Sequence, residues 1–140
     1  MGETGLGKTF LLNCMENAVI ARGYAPTKIT GYRLFEAMRG CHFGDADKRT
    51  EFDQLLRCEL LLLDDLGTEP MMANVTREYL FTLLNERMAQ RRHTVIATNL
   101  STGDLLKVYG ERVFSRLIDA MSMSVIQLRG RDLRLCGRRR

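Results

Sequence analysis

The first nine residues contain a complete match to a phosphate-binding loop pattern. The pattern G-x-x-x-x-G-K-[ST] is met at every position, by Gly2, Glu3, Thr4, Gly5, Leu6, Gly7, Lys8 and Thr9. Glycines allow successive backbone N–H groups to turn toward one anion, and a following helix adds the positive end of its dipole. Lys8 can reach the outer phosphates of a nucleotide, and Thr9 can ligate Mg²⁺. A chance glycine-rich turn is the alternative, which the full match disfavours.

A pair of acids directly follows the apolar run 60–63. A phosphate loop needs a carboxylate at the end of a neighbouring strand to hold Mg²⁺. We therefore assign Asp64 to the metal and Asp65 to orienting or deprotonating the attacking water. The same letters are also good turn chemistry, but their combination with the loop favours the catalytic interpretation.

Three further polar residues are candidates for the same chemistry. Asn99 ends an apolar run and could hydrogen-bond a γ-phosphate or the attacking water. Arg112 and Arg116 are four residues apart, which places them on one face of a predicted helix. They could be a surface residue and a salt-bridge partner, or an arginine finger that acts on the nucleotide of a neighbouring subunit.

The segments between these residues predict an alternation of helices and strands. Helical periodicity covers 9–22, 31–39, 46–57, 75–91, 102–108 and 111–121, with Asn74 as the N-cap of the fourth helix. Extended segments are predicted at 26–30, 59–65, 94–99 and 124–128, and the second of these reads as a strand buried on both faces. The alternation predicts a three-layer α/β fold with a mostly parallel sheet, in a single domain over 1–140.

Composition excludes several classes of protein. The 140 residues are 45% apolar and contain no apolar stretch long enough to span a membrane. The four cysteines match no zinc pattern, which favours reduced thiols in a cytoplasmic protein. Net charge is +4, and 129–140 form a basic C-terminal end with six arginines and one acid. This end could bind phosphates or be a solvated tail.

The segments LLLLDDLGTEP, LFTLLNERM, TVIATNLS and ERVFSRLID resemble AAA+ ATPases, specifically the family of DnaC/DnaI helicase loaders and IstB-type transposition helpers. The resemblance implies that 2–9 are the Walker A loop, that Asp64 and Asp65 form Walker B, and that Asn99 is sensor 1. It implies Arg116 as the arginine finger, with Arg112 as a second candidate. It further implies ATP and Mg²⁺ as cofactors, and ATP-dependent homo-oligomers that bind single-stranded DNA and deliver the replicative DNA helicase to it, with no membrane partner.

The sequence departs from that family pattern in three places. It lacks the strand before Walker A, the N-terminal region with which loaders grip the helicase, and a helical lid domain after the last strand. We expect the missing strand to leave a gap in the sheet. Three interpretations stay open: a helicase loader, an IstB-like transposition helper, and a truncated remnant with little activity.

Overall fold

The chain folds as a parallel sheet with helices on both faces, as the sequence predicts. A computed structural model describes residues 1–119 and 123–133. Within these residues the strands are β1 (Thr27–Thr30), β2 (Leu60–Leu66) and β3 (His93–Thr98). The helices are α1 (Lys8–Ile20), α2 (Gly31–His42), α3 (Ala46–Arg57), α4 (Thr76–Ala89) and α5 (Thr102–Leu117). The strands lie in the order β1-β2-β3 and are all parallel, so their carboxyl ends meet at one edge of the sheet.

The central strand β2 is buried on both faces because its leucines alternate between two cores. Leu61 and Leu63 pack into the larger core with α2, α3, α4 and α5. Leu62 faces the other way, against Leu12 of α1. Side chains alternate across a strand, so an unbroken apolar run is what a strand between two helical layers requires. The predicted three-layer arrangement is therefore confirmed.

A buried arginine joins α4 to its neighbours. The Arg87 side chain is 1% exposed. Its guanidinium donates to the backbone carbonyls of Leu55 at 2.6 Å, Cys58 at 2.8 Å and His93 at 2.5 Å, and to Thr94 Oγ1 at 2.8 Å. Burial lowers the pKa of Arg87 from its usual value. The side chain thus links the end of α3, the C-terminal end of α4 and the start of β3.

Two helix ends differ from the sequence-based predictions. Asn74 is not the N-cap of α4, because the cap position is Val75, which makes no side-chain cap bond. Instead the Thr76 hydroxyl accepts from the Met72 N–H at 2.9 Å and donates to the Pro70 carbonyl at 3.0 Å. The helices predicted at 102–108 and 111–121 form the two halves of α5, which kinks at Gly110 with φ 79° and ends at Leu117 rather than 121.

The strand predicted at 124–128 is wrong. Residues 123–129 form no strand in the structure. Their backbone runs beside Met1, whose N-terminal amine donates to the Ile126 carbonyl at 2.7 Å and whose carbonyl accepts from the Leu128 N–H at 2.8 Å. A strand needs a partner along its length, and in the described part of the chain this segment bonds to the backbone of Met1 instead.

An apolar groove separates this segment from β3. The groove has a volume of about 360 Å³ and is lined by residues that include Leu11 and Met15 of α1, Ile96 of β3, Val125 and Ile126. Only the Gly2 N–H, which donates to the Thr98 carbonyl at 3.3 Å, crosses from the N-terminus to β3 in the described backbone. The expected gap in the sheet is therefore present at the position before the phosphate loop.

No helix among residues 1–119 and 123–133 has the length and apolar character needed to cross a bilayer.

Candidate phosphate-binding site

The phosphate loop adopts backbone conformations that favour glycine. Gly5 and Gly7 have φ values of 82° and 81°, which L side chains rarely adopt. A side chain at Gly5 would also collide with the Asp132 carboxylate, and the Leu133 N–H donates to the Gly5 carbonyl at 3.0 Å. The loop is thus shaped by its glycines and covered on one side by 130–133.

The donors of the loop are arranged as an anion site requires. Among the described residues, no backbone carbonyl accepts a hydrogen bond from the N–H groups of 3–7. Gly7 is the N-cap of α1, no side chain caps this helix, and its first turn holds no acid. Backbone N–H groups that bond to no described backbone carbonyl therefore lie at the positive end of the helix dipole, and this arrangement fits a phosphate.

Lys8 and Thr9 begin α1 directly after the loop. Lys8 is 8% exposed, and its Nζ donates to the carbonyls of Gly2 and Glu3, at 2.6 Å each. The ammonium group thus closes the loop from inside, where it can exchange carbonyl oxygens for phosphate oxygens. Thr9 is exposed and occupies the first turn of the helix.

The acid pair lies at the carboxyl end of β2, where the strand is irregular. Asp64 is 4% exposed, and one of its carboxylate oxygens accepts from the Asp65 N–H at 3.1 Å. The register with β3 shifts between Leu63 and Leu66, and Asp65 has φ 53°. A bulge of this kind redirects a side chain, so Asp64 and Asp65 have different surroundings although they are adjacent.

Asn99 follows β3 and is exposed at the same edge of the sheet. It lines a cavity of about 650 Å³ together with Gly2, Glu3 and Leu6 of the phosphate loop. The preceding residue, Thr98, accepts the Gly2 N–H through its carbonyl. The structure thus brings Asn99 beside the start of the loop.

The two candidate finger residues contact α4. Arg112 donates to Glu78 Oε2 at 3.2 Å, and its guanidinium lies 3.9 Å from the centre of the Phe81 ring. Arg116 donates to Asn85 Oδ1 at 3.1 Å and lies 5.5 Å from the same ring. The expectation of a shared helix face is confirmed, since both side chains meet Phe81. Their role as arginine fingers stays a prediction.

No cluster of three or more His, Cys, Asp or Glu side chains suited to a metal ion occurs in 1–119 or 123–133. A Mg²⁺ ion held through a nucleotide needs no such cluster, because phosphate and water oxygens supply most of its ligands. The Thr9 hydroxyl and the Asp64 carboxylate are hard oxygen donors of the required kind.

Sequence reasoning missed two residues that contact the loop after the acid pair. Glu69 and Tyr109 are 7% and 1% exposed, and the Tyr109 hydroxyl donates to Glu69 Oε1. The only signal in the sequence is an acid five residues after Asp64, in a segment that otherwise reads as a solvated turn.

The family model of the IstB-like ATP binding proteins matches residues 1–140. The chain belongs to this family. The family resemblance predicted from the sequence is therefore confirmed.

Individual relatives of this IstB-like chain include both predicted kinds of protein. It is 27% identical over 104 residues to the replicative helicase loader DnaI of Bacillus subtilis (strain 168). The aligned residues cover 74% of this chain and 33% of the relative. It is 32% identical over 104 residues to the insertion sequence IS1162 ATP-binding protein of Pseudomonas fluorescens, covering 73% of this chain and 44% of the relative. The chain therefore spans less than half the length of these two relatives.

The fold matches a solved structure of the same kind. The crystal structure of the DnaC helicase loader aligns with a TM-score of 0.75 and 27% identity, over 91% of this chain and 75% of that chain. The predicted P-loop AAA+ fold class is thereby confirmed, with three strands in the described sheet and none preceding the loop.

Proposed function

We propose that this IstB-like chain binds ATP with Mg²⁺ at the phosphate loop and hydrolyses it. The observation that carries the proposal is the convergence of chemistry at one edge of the sheet. The acid pair lies near the carboxyl end of β2, Asn99 follows β3, and the loop meets the end of β3 through the Gly2 N–H.

Each residue has a role that its position supports. The backbone N–H groups of the loop hold the phosphates, and Lys8 exchanges its two carbonyl contacts for phosphate oxygens. Thr9 and Asp64 hold the metal, and bound Mg²⁺ would neutralise charge on the outer phosphates. Asp65 accepts the proton of the attacking water, and Asn99 donates to the γ-phosphate or to that water.

The test separates binding from hydrolysis. Asp65→Asn should keep MgATP binding and lose most ATP hydrolysis, because the amide cannot accept the proton of the water. The matched control is Asp53→Asn, a half-buried aspartate of α3. If Asp65→Asn hydrolyses ATP at the wild-type rate, the assignment of the base is wrong.

We further propose that ATP binding drives assembly with a replicative helicase on single-stranded DNA. Relatives named as helicase loaders support this role, and so do Arg129 and Arg131, which are exposed near the loop-covering segment. In the oligomer, Arg112 or Arg116 would leave its α4 contacts and reach the nucleotide of a neighbour.

Sedimentation with MgATP, helicase and oligonucleotide should show the complex, and its DNA affinity should fall steeply with salt. A flat salt response would argue against phosphate contacts.

A transposition helper is the second candidate. The higher identity to the insertion-sequence protein, 32% against 27% for DnaI, favours it. The two candidates predict different partners, so ATP-dependent co-sedimentation with the host helicase and with a transposase encoded nearby discriminates them. A chain that binds neither partner and turns over no ATP would be the truncated remnant.

A further inference from the structure

Glu69 is a buried carboxylate to which the proposed reaction gives no part. It lies in the loop after β2 and is 7% exposed. Its Oε2 accepts from the Gly67 N–H at 2.8 Å, and its Oε1 accepts from the Tyr109 hydroxyl of α5. Burial and the adjacent carboxylate raise the pKa of Tyr109 far above its usual value, so the hydroxyl remains a donor. A buried carboxylate that accepts a hydrogen bond at each oxygen fixes the groups around it.

The groups that it fixes lead directly to Asp65. The Asp65 carbonyl accepts from the Thr68 hydroxyl at 2.9 Å and from the Thr68 N–H at 3.3 Å. The Leu66 carbonyl accepts from the Thr98 hydroxyl at 2.6 Å. Asp65 itself has φ 53°, a conformation that costs energy for a residue with a side chain. The surrounding loop must therefore hold Asp65 in place, and Glu69 is the far anchor of that loop.

The first residue of α2 confirms how tightly this loop is packed. A methyl group at Gly31 would lie 2.7 Å from Glu69 Oε2 and 2.9 Å from the Asp65 carbonyl oxygen. Gly31 thus contacts both ends of the loop at once, and any shift of Glu69 has little free space to enter.

The other end of the hydrogen bond lies on the arginine-bearing helix. Tyr109 directly precedes the kink at Gly110, and Arg112 and Arg116 follow within two turns. One side-chain bond therefore connects the loop that holds Asp65 to the point where α5 changes direction.

We propose that Glu69 and Tyr109 form a positioning pair that holds Asp65 in its conformation and ties it to the kink of α5. The pair touches neither nucleotide nor water; it acts through the loop 65–69. The inference rests on the proposed function, because Asp65 is assigned there as the base.

The test removes the hydroxyl of Tyr109 and compares it with a matched hydroxyl elsewhere. Tyr109→Phe should lower kcat for ATP hydrolysis roughly tenfold to a hundredfold and leave KM for ATP unchanged, since a displacement of up to 1 Å at a reacting group has that effect. The control is Tyr79→Phe, which removes a hydroxyl from a half-buried tyrosine of α4 that packs edge-on against Phe52. Tyr79→Phe should leave kcat unchanged.

A second readout does not depend on turnover. In NMR spectra, Tyr109→Phe should shift the backbone amide signals of Asp65, Gly67 and Thr68 and the carboxyl signal of Asp65, and Tyr79→Phe should not. Unchanged signals in Tyr109→Phe would overturn the proposal, as would an unchanged kcat or an equal loss of kcat in both variants.

A milder variant covers the case in which Tyr109→Phe does not fold. Glu69→Gln keeps the volume and can still accept from Gly67, but its amide nitrogen cannot accept the Tyr109 proton. Glu69→Gln should reproduce the loss of kcat. The double variant should have a kcat no lower than that of the less active single variant, because the two residues act through one hydrogen bond. Additive losses would overturn the pair. If the wild type hydrolyses no ATP, the proposed function fails, and the NMR signals still decide whether Glu69 and Tyr109 hold Asp65.

Discussion

The acid pair and the phosphate loop lie at the same edge of the sheet, but the chain supports them differently. Asp64 and Asp65 end a strand that pairs with a neighbour on each side and is buried on both faces. Among the described backbone hydrogen bonds, only that from Gly2 to Thr98 joins the loop to the sheet. The loop is also held by its own Lys8 and by the segment 126–133.

Because of this difference, substitutions near the two sites should affect different properties, the stability of the chain in one case and nucleotide binding in the other. The position of the acid pair is a consequence of the core, so substitutions in the core that supports it should lower the stability of the chain. The position of the loop depends on a few hydrogen bonds beside an apolar groove, so substitutions there should change nucleotide binding more than folding.

The largest effect is expected from Arg87→Leu, in the buried network that joins α3, α4 and the start of β3. The change leaves the carbonyls of Leu55, Cys58 and His93 without their donor. We expect the free energy of unfolding to fall by about 3 kcal/mol or more, because buried unpaired carbonyls are costly. Urea denaturation measures the loss.

Arg92→Leu is the matched control, since the Arg92 side chain bonds to Gln90 alone among the hydrogen bonds described for it. It should change stability by no more than about 0.5 kcal/mol. Equal losses in the two variants would contradict the structural role of Arg87.

The second effect concerns the apolar groove beside the loop. A four-residue extension of alternating apolar residues before Met1 should pair with β3 and fill the groove. We expect stability to rise by roughly 2 kcal/mol, the burial of two or three apolar side chains less the cost of ordering them. An extension of four Gly and Ser residues is the control, and equal unfolding curves for the two chains would show that the groove does not accept a strand.

Two glycines with the same backbone conformation separate loop function from backbone cost. Gly5 and Gly23 have φ values of 82° and 85°, and nothing lies within 4 Å of a methyl group at Gly23. Alanine should cost about 1–2 kcal/mol of stability at each position. Only Gly5→Ala should also weaken MgATP binding, measured by fluorescence titration, because there the methyl group meets Asp132. Weaker binding in Gly23→Ala as well would mean that the loss reflects stability.

The smallest effect on folding is expected at Arg112. Its pair with Glu78 is exposed, with side-chain exposures of 65% and 57%, so Arg112→Ala should cost about 0.5 kcal/mol or less. If Arg112 is an arginine finger, Arg112→Ala should also lower ATP hydrolysis of the oligomer about 10³-fold or more. Thermal unfolding and hydrolysis at oligomer-forming concentrations measure the two effects, and a variant that keeps full hydrolysis would exclude Arg112 as the finger.

The sequence predicts the features that depend on local patterns. The leucines of β2 predict a strand buried on both faces, and the spacing of Arg112 and Arg116 predicts their common face. Both features follow from backbone periodicity alone.

The sequence does not predict the features that depend on partners distant in the chain. The segment 124–128 has the composition of a strand, but among the described residues its backbone pairs with Met1 and forms no strand. Arg87, Glu69 and Tyr109 carry polar groups that read as exposed or neutral. Each is buried against a partner that is distant in the chain: Leu55 lies 32 residues from Arg87, and Glu69 lies 40 residues from Tyr109. The φ of Asp65 follows from a bulge that no letter marks.

The equilibrium binding of MgATP to the wild type and to Lys8→Ala tests directly whether residues 2–9 bind the nucleotide. Lys107→Ala is the control, because this lysine lies on α5 with 81% of its side chain exposed. We predict that the wild type and Lys107→Ala bind MgATP with the same affinity and have the same unfolding curve within about 0.5 kcal/mol. Lys8→Ala should lose binding and remain folded, with a stability loss of about 1–3 kcal/mol because the Gly2 and Glu3 carbonyls lose their donor. Equal MgATP binding by Lys8→Ala and the wild type would contradict the assignment of 2–9 as the nucleotide site.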